Sequence, residues 1–335
     1  MDPKISVVMP LYNKRPYVKE AIESVLNQSF GDFELIVVDD GSTDGSQDVI
    51  KTVNDKRLFF FQNEKNLGTA GNANKCIDLS KGKYIARLDA DDLMTPGRLF
   101  QQLQLMEKNS DIGISSGAVE IFGAKKEIWS MPLTHDELAA NILFKPPIAQ
   151  GASMIRKEML IKNNLRYDEN SLNVAEDWLM WFKCFKVTKF ANVPEVLILY
   201  RQYDGNITNN ANHNFYQSRK FVYDHMFKDL GLPIEKTDIH FFTKPYFSSP
   251  VTARQVHEYC EWLTFLKNWN HSKKVFHEKF FDKSIEDLRE RFFYFLPAFG
   301  TKPTMAWLKI NGYNVSKINY YIKHKVKSVL KKRTN

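Results

Sequence analysis

The chain has 335 residues, 43% of them hydrophobic and 26% charged, with a formal net charge of +8. That length suits one large domain or two, and the composition is that of an ordinary soluble globular protein. No apolar run approaches the ~20 residues of a membrane span, and the first run, Ile5–Met9, is too short for a signal-peptide core and follows Asp2, so export is not expected.

In chain order, Ile5–Met9 reads as a strand ending at Pro10. Pro16–Gln28 carries Val18, Ala21, Ile22, Val25 and Leu26 at helical spacing, with Pro16 suited to a first turn. Leu35–Val38 is the next strand, and the turn-rich Asp39–Ser46 segment leads into a helix reaching about Val53. Leu58–Phe61 and Tyr84–Leu88 are further strands, with helices over Thr69–Leu79 and Pro96–Glu107. Repeated strand–helix units imply an α/β fold, a mostly parallel sheet with helices on both faces. Ile112–Phe122 is a longer strand that Glu127–Met131 pairs with, Ala175–Phe185 a helix and Pro194–Tyr200 a strand. Helical patterns over Gln217–Leu230, Thr252–Trp269, Ser284–Phe295 and Ser316–Lys331 then dominate. The expected division is residues 1–214, with halves at about 1–122 and 123–214, followed by a helical, basic region over 215–335.

Cys76, Cys184 and Cys260 are odd in number and far apart, form no CxxC, and read as core residues of a cytoplasmic protein. The basic charge is concentrated at the end: Thr301–Asn335 holds nine Lys and Arg and no acid, so the remainder sums to 8 − 9 = −1. Within it, Val315, Ile318, Ile322, Val326, Val329 and Leu330 form an apolar helical stripe, and Lys323, Lys327 and Lys331 a basic row. Such a helix suits either docking on the protein or an anionic membrane, here the inner face of the cell membrane.

Chemistry points to the acids. Asp39-Asp40 and Asp89-Ala90-Asp91-Asp92 each follow an apolar run, and Glu176-Asp177 opens a helix. Carboxylates at the carboxyl ends of buried strands sit where open α/β sheets bind ligands. Converging there, they repel unless a cation or proton relieves them, which suits metal-assisted chemistry on a phosphorylated substrate. Asp89 and Asp91 in extended geometry would grip one ion together, or divide between an ion and a sugar hydroxyl. No G-x-G-x-x-G, P-loop, H-E-x-x-H or zinc-type Cys/His cluster is present, and no basic–aromatic platform for nucleic acid.

Val7–Asn13, Ser24–Gln28, Phe33–Asp44, Asn66-Leu67-Gly68, Gly82–Ile85 and Leu88–Asp92 closely resemble the motifs of family 2 glycosyltransferases, and Glu176-Asp177-Trp178 and Tyr200-Arg201 look like the later ones. The resemblance spans roughly residues 4–210. It implies a GT-A fold, a nucleotide-sugar donor (a UDP-sugar on family frequency), Mn2+ or Mg2+, and inversion at the anomeric carbon. By that likeness Pro10 and Tyr12 would line the base pocket, Asp40 would bond the base or ribose, and Asp89, with Ala90 beside it, would hold ribose or donor sugar. Asp91 would bind the metal, Asp177 would be the general base, and Glu176 and Trp178 would face the acceptor.

Three positions depart from the family pattern: Ala73 stands where many relatives carry Arg, Gln150-Gly151 where they carry His-Pro, and Tyr203 where they carry His. The Q-x-x-R-W motif of processive synthases is absent, and Gln217–Phe221 is a near miss, so single-sugar transfer is expected. The expected acceptor is a glycan or lipid-linked sugar of a bacterial surface polysaccharide, with its pocket in loops within Ile128–Tyr167 and the C-terminal helices. The alternatives are a nucleotidyltransferase with a similar aspartate cluster and a non-catalytic scaffold on a transferase fold.

Overall fold

The computed structural model describes residues 2–123, 126–171, 175–203, 213–241 and 251–333, without the side chains of 213–215, 237, 239–241 and 326–333. The chain divides into two compact units, Met1–Met226 and Phe227–Asn335.

The first unit runs β1 (Ile5–Leu11), α1 (Val18–Leu26), β2 (Phe33–Asp39), α2 (Ser46–Lys51), β3 (Leu58–Gln62), α3 (Gly68–Leu79), β4 (Tyr84–Arg87), β5 (Leu93–Met94) and α4 (Arg98–Lys108). It continues with β6 (Ile112–Gly123), β7 (Glu127–Trp129), α5 (His135–Ala139), a 3-10 turn at Gln150–Ala152, β8 (Met154–Arg156), α6 (Lys157–Lys162), α7 (Glu176–Phe185), β9 (Lys189–Gln202) and α8 (His213–Leu230), inside which the division falls. Among the described residues nine strands form one sheet, ordered β3-β2-β1-β4-β8-β6-β9-β5, with β7 also paired to β6. The β3-β2-β1-β4 half is parallel, whereas β8 is antiparallel to both of its neighbours.

β1, β2 and β4 are buried along nearly their whole length, so they read as continuous apolar runs rather than alternating ones. The α1 stripe Val18, Ala21, Ile22 and Val25 joins Val7, Met9, Leu35, Val37 and Ala86 in one core. β1 extends past its expected end at Pro10. It pairs with β2 through Leu11 but with β4 only from Ile5 to Val8, so the proline lies where no ladder bond to β4 is lost. β9 begins at Lys189, five residues before the expected Pro194. Its register on β6 jumps from Val193 opposite Gly117 to Val196 opposite Ala118, so Pro194 and Glu195 form a bulge. A Cβ on Gly117 would lie 2.7 Å from Leu197, and a glycine lets the bulge close there.

The second unit is helical: a 3-10 stretch at Ile234–Phe241, then α9 (Ala253–Lys273), α10 (Glu278–Phe299), α11 (Thr301–Asn311) and α12 (Val315–Arg333). Thr252 caps α9, its hydroxyl accepting from Gln255 N–H while the Gln255 side chain accepts from Thr252 N–H. Aromatic pairs fill the core, Tyr259–Phe292 at 4.5 Å and Phe293–Trp307 at 4.9 Å between ring centres. In α12, Val315 is 75% and Ile322 51% exposed. Val326, Val329, Leu330, Lys327 and Lys331 of the expected stripe and row have side chains outside the described set. No helix among the described residues is long and apolar enough to cross a membrane.

Candidate functional site

β2 and β4 flank β1, so the chain reverses its direction of spread there, and the carboxyl ends of all three strands meet at a topological switch point. The turn residues after β2 anchor the loop after β1. Ser42 Oγ accepts from Asn13 N–H at 2.8 Å, Asn13 Oδ1 from Thr43 N–H at 2.9 Å, and Ser46 Oγ from Lys14 N–H at 3.0 Å. Asn13 takes a left-handed backbone, φ 52°. Pro10 is half-buried at the end of β1, and Tyr12 after it is 49% exposed.

Asp40 is buried and its carboxylate is committed. Oδ1 accepts from Asn63 Nδ2 at 2.7 Å and Leu67 N–H at 2.8 Å, and Oδ2 from Gly68 N–H at 3.0 Å. It caps α3 from another loop, where the N-cap residue Leu67 offers no side-chain acceptor. The neighbouring Asp39, fully buried, accepts from Ser42 N–H at 3.1 Å on Oδ1, and its Oδ2 has no hydrogen-bond partner.

Asp89–Asp92 is a turn closed by Asp92 N–H to Asp89 O at 3.1 Å, not the extended segment expected. Asp89 and Asp91 accordingly meet different cations. Asp89 Oδ1 accepts from Arg87 Nε at 3.0 Å, and Asp91 Oδ2 from Lys14 Nζ at 2.7 Å and Tyr203 OH at 2.8 Å. Burial works against the Lys14 ammonium, but Asp91 and Tyr203 outweigh it and hold the group above its usual range. Asp92 accepts from Arg201 N–H at 2.9 Å on Oδ1 and leaves Oδ2 buried without a partner. Burial, then the charges of Asp89 and Asp91, push its carboxyl well up. Ala90 is buried within the turn. Gly151, in place of the family's proline, lies against these acids: a Cβ there would be 3.3 Å from Asp89 Oδ2.

Beneath the turn, the fully buried Arg98 donates to Gly151 O at 2.9 Å, Arg87 O at 2.8 Å and Ser153 O at 3.1 Å. Sequence reasoning missed Arg98, Arg87 and Lys14. A cation inside a helix, strand or loop pattern gives no sign of its distant partner.

Glu176-Asp177 opens α7, after Ala175 in left-handed backbone with φ 71°. Glu176 is buried, whereas Asp177 keeps some exposure and accepts from Trp178 N–H at 2.7 Å on Oδ1. Burial raises both carboxyls, and for Asp177 the Glu176 charge adds to it; Arg87 opposes the rise in each. Arg87 thus acts on both Asp89 and the α7 pair, which joins the second and third acidic groups of the sequence. Trp178 is fully buried, its indole N–H on Ile142 O and its ring edge-on to Tyr223 at 5.1 Å, so it packs the interior and presents nothing to an acceptor.

Among the described residues, no three His, Cys, Asp or Glu are arranged to hold a metal by themselves. Hard divalent cations often take one or two carboxylates and complete their shell with substrate phosphates, and the acidic turn fits that pattern. A cleft of about 630 Å³, lined by Asp111, His135, Arg156 and Lys189, lies instead at the amino ends of β6 and β9.

A half-parallel sheet with acids at the carboxyl ends of β2 and β4, and a carboxylate pair opening a later helix, is the GT-A class of glycosyltransferase. The chain belongs to Glycosyl transferase family 2, which matches residues 6–182, and it is a glycosyltransferase rather than a nucleotidyltransferase. An uncharacterized glycosyltransferase of Haemophilus influenzae is 30% identical over 233 residues, 66% of this chain and 72% of that one. The putative teichuronic acid biosynthesis glycosyltransferase TuaG of Bacillus subtilis is 39% identical over 110 residues, 32% of this chain and 44% of its own. Among solved structures, S. aureus TarS 1–349 in complex with UDP-GlcNAc aligns with a TM-score of 0.61 at 18% identity, covering 92% of this chain and 93% of that one. The mannosyltransferase PcManGT of Pyrobaculum calidifontis, in complex with GDP-Man and Mn2+, aligns at 0.51 with 14% identity, covering 98% and 88%.

Proposed function

We propose that the protein transfers one sugar, with inversion, from a UDP-sugar to a glycan or lipid-linked acceptor in bacterial surface polysaccharide assembly. The observation that carries the reading is Asp177, a half-buried residue at the start of α7 whose carboxyl has raised proton affinity and is joined electrostatically through Arg87 to the acidic turn. TuaG supports the polysaccharide context and TarS the donor class.

In this reading Asp177 is the general base. Its Oδ1 is occupied by Trp178 N–H, so Oδ2 takes the acceptor proton. The acceptor oxygen bonds to the anomeric carbon from the side opposite the leaving group. The bond from that carbon to the phosphate oxygen breaks, and its electron pair leaves with the nucleoside diphosphate, which inverts the centre. Asp91 holds a divalent cation, Mn2+ or Mg2+, which supplies neutralisation of the diphosphate charge when bound. Pro10 and Tyr12 line the base pocket. Asp40 shapes that pocket by fixing Leu67 and Gly68, since its own oxygens are committed. Asp89 and Ala90 border the ribose and donor sugar, Glu176 orients the acceptor side, and Trp178 packs behind.

A thermal-shift panel of UDP, GDP, CDP and TDP, with and without Mn2+, tests this. A ligand that binds only the folded state stabilises it by about 2.7 kcal/mol at one hundred times Kd. A metal-dependent rise for UDP is expected, and no rise for any diphosphate would sink the reading.

A further inference from the structure

Lys14 touches the carboxylate that the proposed function gives to the metal. Its Nζ lies 2.7 Å from Asp91 Oδ2 and 2.5 Å from Tyr203 OH, and that hydroxyl lies 2.8 Å from the same Oδ2, closing a three-membered ring of contacts. The ammonium is placed, not swinging. Its backbone is pinned to Ser46, the Asn13 turn aims it inward, and Tyr203 packs on Tyr17 with ring centres 4.9 Å apart. Only 19% of the Lys14 side chain and 12% of Asp91 is exposed.

Two cations therefore address one carboxylate. An ion pair of Lys14 and Asp91 is neutral. Adding a divalent cation brings the three to a net +2, which matches the charge of roughly −2 that a nucleotide-sugar diphosphate carries. An ammonium released from Asp91 stays within reach of any phosphate bound beside that carboxylate, and lysine serves phosphate as a compact point charge. Tyr203 completes the arrangement: its phenol, in place of the family's histidine, touches both Lys14 and Asp91.

We propose that Lys14 is a donor-diphosphate-binding residue held in reserve by Asp91 and Tyr203, and that it competes with the divalent cation for Asp91 until the donor arrives. This rests on the nucleotide and metal reading above.

The test uses the whole chain and two binding measurements, Mn2+ alone by electron paramagnetic resonance and UDP in saturating Mn2+ by calorimetry. Lys14→Ala should bind Mn2+ alone about tenfold more tightly and UDP with Mn2+ about tenfold more weakly. A damaged fold would weaken both, so the opposed changes mark the role, and Lys14→Gln, which keeps much of the stem, should repeat them. Wild-type protein that binds UDP with Mn2+ while Lys14→Ala and Lys14→Gln bind it equally well overturns this inference alone. So does unchanged affinity for Mn2+ alone. Wild-type protein that binds none of UDP, GDP, CDP or TDP overturns the nucleotide reading and this inference with it.

Discussion

Asp177 combines two requirements of a base, an uncommitted oxygen and a raised proton affinity. Asp177→Asn should keep nucleotide affinity and lose transfer by on the order of 10²-fold or more, read as initial rate at saturating donor. In the proposed mechanism the deprotonated form is the active one. With its affinity raised by burial and by Glu176, the acid limb of the rate profile should lie above the ordinary carboxylate range, and a limb at the usual position would remove that assignment. The linkage runs the other way for stability. A carboxyl that binds its proton more tightly when folded contributes stability at low pH, lost as pH rises through the folded value. Asp177→Asn should therefore melt higher than wild type at neutral pH. Replacing Asp40 should instead destabilise the fold, because three N–H donors depend on its carboxylate. Asp40→Ala should lose about 1–3 kcal/mol or more in urea titration. The first two acidic groups were legible because they end apolar runs, and Glu176-Asp177 because it opens an apolar helix. Their partners were not: Lys14 and Tyr203 lie 77 and 112 positions from Asp91, and nothing local to either residue records the pairing.

At the scale of elements, legibility followed length and burial. β1, β2 and β4 were readable as apolar runs, but β5 has two residues and β8 three, too few for any period to show. β8 still matters, because the turn leading into it sets Gly151 against the acidic turn and Ser153 O on Arg98. α11 was hidden because its buried face includes Pro303 and Thr304 beside Trp307 and Leu308. Arg98 of α4 is the staple between α4, β4 and the loop before β8. Arg98→Met would keep much of the stem and take the guanidinium donor from Gly151 O and Arg87 O, while Ser153 O keeps Arg87 N–H at 3.0 Å. The expected cost is about 3 kcal/mol or more, measured as a lower urea midpoint. In the second unit, Thr252→Ala should remove the capping box of α9 at a cost of about 1 kcal/mol.

Over the whole molecule, charge is segregated. Nine cations and no acid fall within residues 301–335, while the rest of the chain sums to about −1. A solvated lysine face alone would not require apolar neighbours, yet Ile310, Tyr313, Val315 and Ile322 are exposed between 38% and 75% in the same stretch. Lys317 pairs with Glu290 at 2.8 Å and Lys325 lies over the Tyr321 ring at 5.9 Å from its centre; Lys302, Lys309, Lys323 and Lys325 are all exposed. Basic residues interleaved with exposed apolar ones fit an anionic lipid surface, where each cation contributes about 1 kcal/mol. Such a contact would bring the enzyme to a lipid-linked acceptor. Neutralising Lys309, Lys323 and Lys325 to Gln should cost about 3 kcal/mol, on the order of 10²-fold in partition to phosphatidylserine vesicles. Neutral phosphatidylcholine vesicles should bind weakly at any salt. Raising ionic strength from 0.15 M to 1 M shortens the screening length from about 8 Å to about 3 Å and should mimic the substitutions. Equal sedimentation of the triple variant and wild type would assign the basic helix to the protein's own solvated surface. Transfer to a soluble acceptor should be the same in both proteins, because on this reading the lysines act on where the enzyme sits and not on the carboxylates of its site.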